Sequence, residues 1–598
     1  MVVQRFLIAG AASLALAIGG VVPAVAAPAH HNSSPDLGAN VTVFDPSMPT
    51  SDIQAAVDAI SAEQVDNEMG EERYSLYFLP GEYGSVEEPL LLQVGYYTEV
   101  AGLGELPTDV TINGHIDVYN RCLTPDNCIA LNNFWRSVSN LTINVTGGEG
   151  CRSTANFWAA SQAAPMRRVK VNGPLSLMDY CSAGPQFASG GFIADSVTGD
   201  VTNGSQQQYL VRNSSIGTWS NGVWNQVFSG VDGAPATSFP TPPYTTLNET
   251  PLSREKPFLY VDGGKYRVFV PSAQKNSSGT SWQGGDQAGR SLSLSKFFVA
   301  NPATSVRDIN RALRSGKNLL LTPGVYNVRE PIKVERKDTV VLGLGFATLT
   351  AQGGTTALTV GDAPGVVIAG LTIDAGARSS DVLLKVGSKH GHGSSQASAK
   401  NPTTLSDVFF RIGGPHVGRA KVSLEVNSDN VLLDHLWVWR ADHGEGVGWN
   451  VNTTKNGVIV NGDNVTATGL FVEHFHQYNT IWNGESGRVI FYQNELPYDA
   501  PNQAAWRHGS SLGWAAYKVN DKVKKHELWG GGAYIYTNVD PSLHASRGFE
   551  VPVRPGVKLH SLLTVNLGAG TIDHVVNDTG AAVDNSNTGT PSYVVSFN

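Results

Sequence analysis

Two glutamates 22 residues apart (495 − 473) carry the strongest chemical signal in this chain. In Arg488-Val-Ile-Phe-Tyr-Gln-Asn-Glu-Leu-Pro-Tyr-Asp499 an apolar run leads into Gln493, Asn494 and Glu495, and Pro497 then stops the ladder. Glu495 therefore falls at a strand end where the chain turns away. A carboxyl set against Tyr492, Leu496 and Tyr498 is partly desolvated, which raises its pKa toward that of a general acid. The competing reading is a solvated glutamate paired with Arg488 or Arg507. Glu473, in Gly469-Leu-Phe-Val-Glu-His-Phe-His-Gln-Tyr478, falls at the matching strand end about one turn earlier. Stacked carboxyls raise one pKa by like-charge repulsion; a structural glutamate bonded inside a corner is the alternative. His474 and His476 alternate with Phe475, and no third ligand accompanies them, so neither a metal nor a cofactor is expected.

Further candidates surround these carboxyls. In Trp437-Val-Trp-Arg-Ala-Asp-His443 and the nearby Trp449, either Trp439 or Trp449 offers a face for a sugar ring, and Asp442 or His443 offers polar atoms for hydroxyls. Tyr498 joins them beside Glu495. Packing inside the fold competes for each tryptophan. In the first half, Ser161, Gln162, Gln186 and Ser189 are neutral hydrogen bonders beside small residues that leave room for a water. They read equally as buried turn residues. Ser189 lacks the G-x-S-x-G elbow, so a serine nucleophile is not supported. Carboxyls, aromatic platforms and neutral water holders are the materials of glycosidic-bond hydrolysis.

The elements that must position these groups are short strands of period two. Val366-Val-Ile-Ala-Gly-Leu-Thr-Ile373, Asn430-Val-Leu-Leu-Asp-His-Leu-Trp-Val438 and Asn464-Val-Thr-Ala-Thr-Gly-Leu-Phe-Val472 are punctuated by Gly, Asn and Asp. The chain also repeats itself once. Pro80-Gly81-x-Tyr83 recurs as Pro323-Gly324-x-Tyr326, an offset of 243 residues (323 − 80). Each copy follows an amphipathic helix pattern, 52–60 and 306–313, and precedes a Gly-Leu-Gly at 102–104 and 343–345. Ser139-Asn-Leu-Thr-Ile-Asn144 is echoed by Ala369-Gly-Leu-Thr-Ile-Asp374. Strand phrases repeating at about one coil turn predict parallel β-helices, each opened by a capping helix. Few Asn-Gly turns argue against an antiparallel sandwich. The modules are expected over 46–300 and 301–598. The Pro- and aromatic-rich stretch near 235–300 closes the first and packs as a connector.

Composition narrows the partners. Of 598 residues 16% are charged and 65 are glycine, which suits strands and turns over exposed helices; 41% hydrophobic residues suffice for a core. The net charge of −9 repels phosphate backbones and anionic lipid, so nucleic acid and membrane are excluded as partners. Residues 1–26 read as a cleaved secretory signal: Arg5, an apolar run to Val22, then Ala24-Val-Ala26. Residues 27–45 form an N-terminal extension, and the mature chain is expected to be extracellular. Four cysteines in an oxidising compartment form bridges. The close spacing of Cys122 and Cys128 favours one small loop, leaving Cys151 with Cys181.

The phrases Ser161-Gln-Ala-Ala-Pro-Met-Arg-Arg168, Asn221-Gly-Val-Trp-Asn225, Arg254-Glu-Lys-Pro-Phe258, Trp439-Arg-Ala-Asp-His443, Phe471-Val-Glu-His474, Ile481-Trp-Asn-Gly484 and Tyr492-Gln-Asn-Glu-Leu-Pro-Tyr498 resemble glycoside hydrolase family 55, the exo-β-1,3-glucanases or laminarinases. The resemblance spans both halves. It implies an all-β fold of two tandem right-handed parallel β-helices, pectate-lyase-like and side by side, with the cleft between them. It implies a monomer that releases glucose from β-1,3-glucan chain ends with inversion. Glu495 then resembles the general acid, Glu473 a second cleft carboxylate, and Gln162 and Ser189 the holders of the attacking water. Two rivals differ in class. A β-helical polysaccharide lyase needs a uronate substrate and usually a Ca²⁺-binding Asp cluster, and none stands out. A non-catalytic polysaccharide-binding coil predicts retention of polymer without sugar release.

Overall fold

The computed structural model describes residues 35–285, 287–388 and 398–598. The expected signal at 1–26 and the start of the 27–45 extension lie outside the described residues. Residues 37–598 form one compact unit. Apart from the helices α1 (Thr50–Gln64) and α2 (Val306–Arg314) and short 3₁₀ turns, its regular structure is β.

The strands form two stacks. In the first, parallel strands run from Val41–Phe44 through Arg136–Val145, Met166–Asn172 and Gly191–Ala194 to Tyr244–Leu247. In the second, parallel strands run from Phe297–Ala300 through Thr403–Ile412, Val431–Arg440, Thr466–Glu473 and Gly487–Glu495 to Val557–Ala569. Ser592–Phe597 closes that sheet antiparallel. A second eight-stranded parallel sheet, from Ile332–Val334 to Phe549–Glu550, completes the turns of this coil. Each coil buries its own apolar interior because alternate residues of every rung face inward. Leu433, Ala467 and Val489 stack in register and all lie in the second core. The turns between rungs use asparagine ladders: Asn461 donates to Asn427, Asn483 to Asn461 and Asn520 to Asn483. Asn430 and Asn464 each adopt positive φ at a rung's start, a conformation asparagine tolerates. α2 lays Ile309 and Leu313 onto the first turn of the second core.

The seam between the coils is both apolar and charged. Tyr97, Trp135, Phe192 and Leu210 of the first coil pack with Phe346, Phe409, Trp437 and Phe471 of the second. Phe134 stands 4.6 Å from Trp437. Beside this layer Arg167 donates to Asp407 (2.8 Å) and to Asp434 (2.9 Å). Arg212 donates to Glu255 (2.6 Å) and to the same Asp434 (3.1 Å). His435 and Thr468 also bind these carboxylates, and Lys256 stands 3.6 Å from Asp407. Asp407 and Asp434 are held below the usual carboxylate range because the gain from the facing guanidinium groups exceeds the cost of burial. Glu255 belongs to the connecting segment. That segment forms small antiparallel sheets, among them Phe258–Asp262 with Lys265–Pro271, and wedges Leu259 and Val268 between the coils.

Both disulfides pair as the spacing suggested, Cys122–Cys128 and Cys151–Cys181. The first spans the hairpin Arg121–Thr124 and Asn127–Ile129. Replacing Arg167 by Met leaves Asp407 and Asp434 short of a buried partner. The expected cost is about 3–5 kcal/mol, read as a lowered denaturant midpoint; an unchanged midpoint contradicts the seam's dependence on this network.

Candidate active site

Three neighbouring rungs of the second coil bring the acidic groups together. Trp439 stands opposite Glu473 in the ladder, and Phe471 opposite Gln493. That register carries Glu473 to the side of Glu495, where the His474 amide donates to the Glu495 carbonyl (2.7 Å). His474 takes positive φ as the chain turns off the rung. Its imidazole Nδ1 lies 3.1 Å from the Leu496 carbonyl, and Nε2 lies 3.9 Å from both Asp442 and Glu495.

Glu495 ends its strand, as Pro497 required, with its side chain 14% exposed. Tyr498 donates its hydroxyl to Glu495 Oε2, and Gln493 reaches Oε1 at 3.4 Å. Burial raises the Glu495 pKa, while His474 and the Tyr498 hydroxyl pull it down. Glu473 is fully enclosed. Trp437 Nε1 donates to its Oε2 (2.7 Å), and Gln162 Nε2 donates to its Oε1 (2.9 Å) across the seam. Burial first, and the neighbouring Glu495 second, raise the Glu473 pKa well above the carboxylate range. The two carboxyls titrate as a pair that retains a proton where isolated glutamates have lost theirs.

The first coil supplies the opposite wall. Ser189 donates its hydroxyl to Gln162 Oε1 (2.6 Å). Ser161 accepts from the Ser189 amide and donates to the Ala130 carbonyl. Ser189, Gln162 and Glu473 thus form one directed chain from one coil to the other. A group beside Ser189 can pass a proton toward Glu473, while Glu495 offers one from the adjoining rung. Gln186 is not in that chain: its amide is taken by the Ser182 carbonyl.

A charged clasp flanks the pocket. His443 Nδ1 lies 2.9 Å from Asp442, and Nε2 lies 2.7 Å from Glu68 of the first coil. Arg121 binds Glu68 at 2.7 Å, and Asn132 donates to it at 3.2 Å. The two carboxylates outweigh burial and lift the His443 pKa to about 10, so the ring is cationic at neutral pH. Trp439 is 1% exposed inside the seam and offers no open face to a sugar; its indole donates to Asp442 (3.3 Å). Trp449 packs at a tilt against His476 and lines a separate groove that contains neither Glu473 nor Glu495. Glu68 and Asn132 had no local signal, because each meets His443, 375 and 311 positions away. The Trp437 donor reaches Glu473 36 residues on, across neighbouring rungs.

A site of two buried carboxyls and a neutral hydrogen-bonded wall, set between parallel β-helices, is that of a glycoside hydrolase-type fold. The chain belongs to glycoside hydrolase family 55. Residues 297–495 match the LAM55 pectate lyase-like domain. The chain is 52% identical over 564 residues to a Streptomyces sp. (strain SirexAA-E / ActE) protein named exo-beta-1,3-glucanase, covering 94% of this chain and 90% of the relative. The solved structure of sacteLam55A from Streptomyces sp. SirexAA-E matches with a TM-score of 0.89 at 52% identity, over 94% of this chain and 99% of that one. A glutamate-to-alanine variant of sacteLam55A in complex with glucose matches with the same TM-score at 51% identity, over the same shares of both chains.

The raised His443 pKa has a signed consequence. Its stabilising contribution is full below the ordinary value of 6.5 and is lost as pH rises through about 10. The stability gap between wild type and His443→Gln should therefore close across that interval. A gap that widens toward alkaline pH contradicts a cationic clasp.

Proposed function

We propose that this protein is a secreted exo-β-1,3-glucanase that hydrolyses laminarin-type glucan from chain ends with inversion. The reading is supported by family membership, by the activity named for the Streptomyces relative and by the glucose bound to that relative's variant. The observation that carries it is the Ser189–Gln162–Glu473 chain facing Glu495. Glu495 donates its proton to the glycosidic oxygen, and the bond to the anomeric carbon breaks. A water at Ser189 attacks from the opposite face of the ring. The Ser189 hydrogen is committed to Gln162, so its lone pairs accept the water's proton. Ser189 passes its own proton to Gln162 Oε1, and Gln162 passes one from Nε2 to Glu473, becoming its imidic-acid tautomer. After product leaves, the relay runs back to release that proton to solvent, and Glu495 takes one up. An inverting site needs its acid and its water holder on opposite faces of the sugar ring. The pair carries a single negative charge because a second one there is costly. The relay needs that charge on Glu473 and the shared proton on Glu495 when substrate is bound, although without substrate Glu473 is the more strongly raised of the two.

Asp442 receives His443 and Trp439 on Oδ1 and offers Oδ2 to sugar hydroxyls. Both walls come from one chain, so a monomer suffices. We read 46–300 and 301–598 as duplicated modules that act only together. Export through the residue 1–26 signal fits the two disulfides.

Glu495→Gln should fold normally and lower turnover on laminarin by about 10²–10⁴-fold. An aryl β-glucoside whose leaving group needs no proton should lose far less. Equal losses on both substrates remove Glu495 from the acid role. Because one carboxyl must be charged and the other protonated, kcat/KM should follow a bell in pH, with both limbs belonging to the pair. Nuclear magnetic resonance of the first product should show the α-anomer; the β-anomer contradicts inversion.

A further inference from the structure

On the flank of the second coil lies a groove of about 510 Å³ whose lining includes Trp449, His476 and Trp514. Trp449 and His476 stand ring to ring at 4.1 Å. Trp514 stacks on His508 at 4.3 Å and meets Tyr478 edge-on at 4.9 Å. Both tryptophans are half-buried, so each is held by its neighbours and keeps part of its surface open. Lys421, Lys455 and Arg507 edge the groove, and among the described residues its lining contains no carboxylate, although the chain carries a net charge of −9.

The groove shares its loops with the catalytic pocket. The loop after Val431–Arg440 carries Asp442 and His443 and then Trp449. The turn after Thr466–Glu473 carries His474 and then His476. The loop after Gly487–Glu495 carries Tyr498 and then Arg507 and Trp514. Arg440 ties these loops together, donating to the His474 carbonyl, to Asn452 and to Asp499. Three consecutive rungs therefore each place a residue in the pocket first and in the groove afterwards.

We propose that this groove binds β-1,3-linked glucosyl units outside the catalytic pocket. The inference rests on the glucanase reading above. Indole faces suit the C–H faces of sugar rings, and uncharged or cationic donors suit hydroxyl oxygens. Lys421 is already held by Asp381 at 2.7 Å, which lowers the groove's net charge and favours a neutral polymer over a polyuronate.

The test uses the full chain. Trp449→Ala with Trp514→Ala should raise KM on laminarin by about tenfold and leave kcat and KM on laminaribiose unchanged. In a Glu495→Gln background the same pair should cut retention on insoluble β-1,3-glucan by a similar factor. Ala505→Trp, at an exposed lining position, fills the groove without touching the core and should reproduce both losses. A KM penalty that sets in as oligosaccharides lengthen assigns the groove to the chain being cut. A penalty on insoluble polymer alone assigns it to a second chain. Unchanged KM and retention in Ala505→Trp overturn the proposal, as does retention on polygalacturonate in place of β-1,3-glucan. Wild type inactive on laminaribiose and laminarin alike would instead overturn the glucanase reading.

Discussion

The hydrogen bond from Gln162 to Glu473 joins residues 311 positions apart and on different coils. A bond of 2.9 Å tolerates only a few tenths of an ångström of slippage before it weakens. Everything that fixes one coil against the other therefore serves this contact. The aromatic layer around Trp135, Trp437 and Phe471 supplies area, but apolar contact alone allows sliding. Arg167 and Arg212 remove that freedom, because guanidinium–carboxylate pairs are directional and, once buried, severe to break. Arg167 lies five residues beyond Gln162 (167 − 162), so the lock and the functional amide travel on the same segment.

The electrostatics of the pocket follow from crowding negative groups in a poorly solvated place. Glu473, Glu495 and Asp442 all contribute charge there. Asp442 is held ionised mainly by His443, which in turn draws its charge from Asp442 and Glu68. Among the described residues no cation pairs with Glu473, and the N–H groups of Trp437 and Gln162 bind it without offsetting the cost of burying a charge there. One carboxyl is thereby secured as an anion at the rim, while the pair behind it retains a proton. Environment alone assigns different tasks to groups of one chemical kind.

Much of this was readable along the chain, and the reason is locality. Rung length, the strand-ending Pro497 and the repeated Pro-Gly-x-Tyr phrase are local facts, and they predicted strands, coils and the placement of Glu495. Glu473 followed because parallel rungs put residues one turn apart side by side. Trp439 shows where this fails: period two cannot tell a cleft face from a face buried by another coil, and the seam claimed its ring. Glu68 and Asn132 were invisible for the same reason, since the clasp they form with His443 exists only once two coils meet. The charges of Arg167, Arg212 and Asp434 looked like ordinary strand residues until the seam paired them.

The account's central claim is that Gln162 and Glu473 act as one unit across the seam. A double-mutant cycle in kcat/KM on laminarin, with Gln162→Ala, Glu473→Gln and the double variant, measures this directly. The account predicts that either single change costs nearly as much as both together. Losses that simply multiply would show the two residues acting independently and would contradict it.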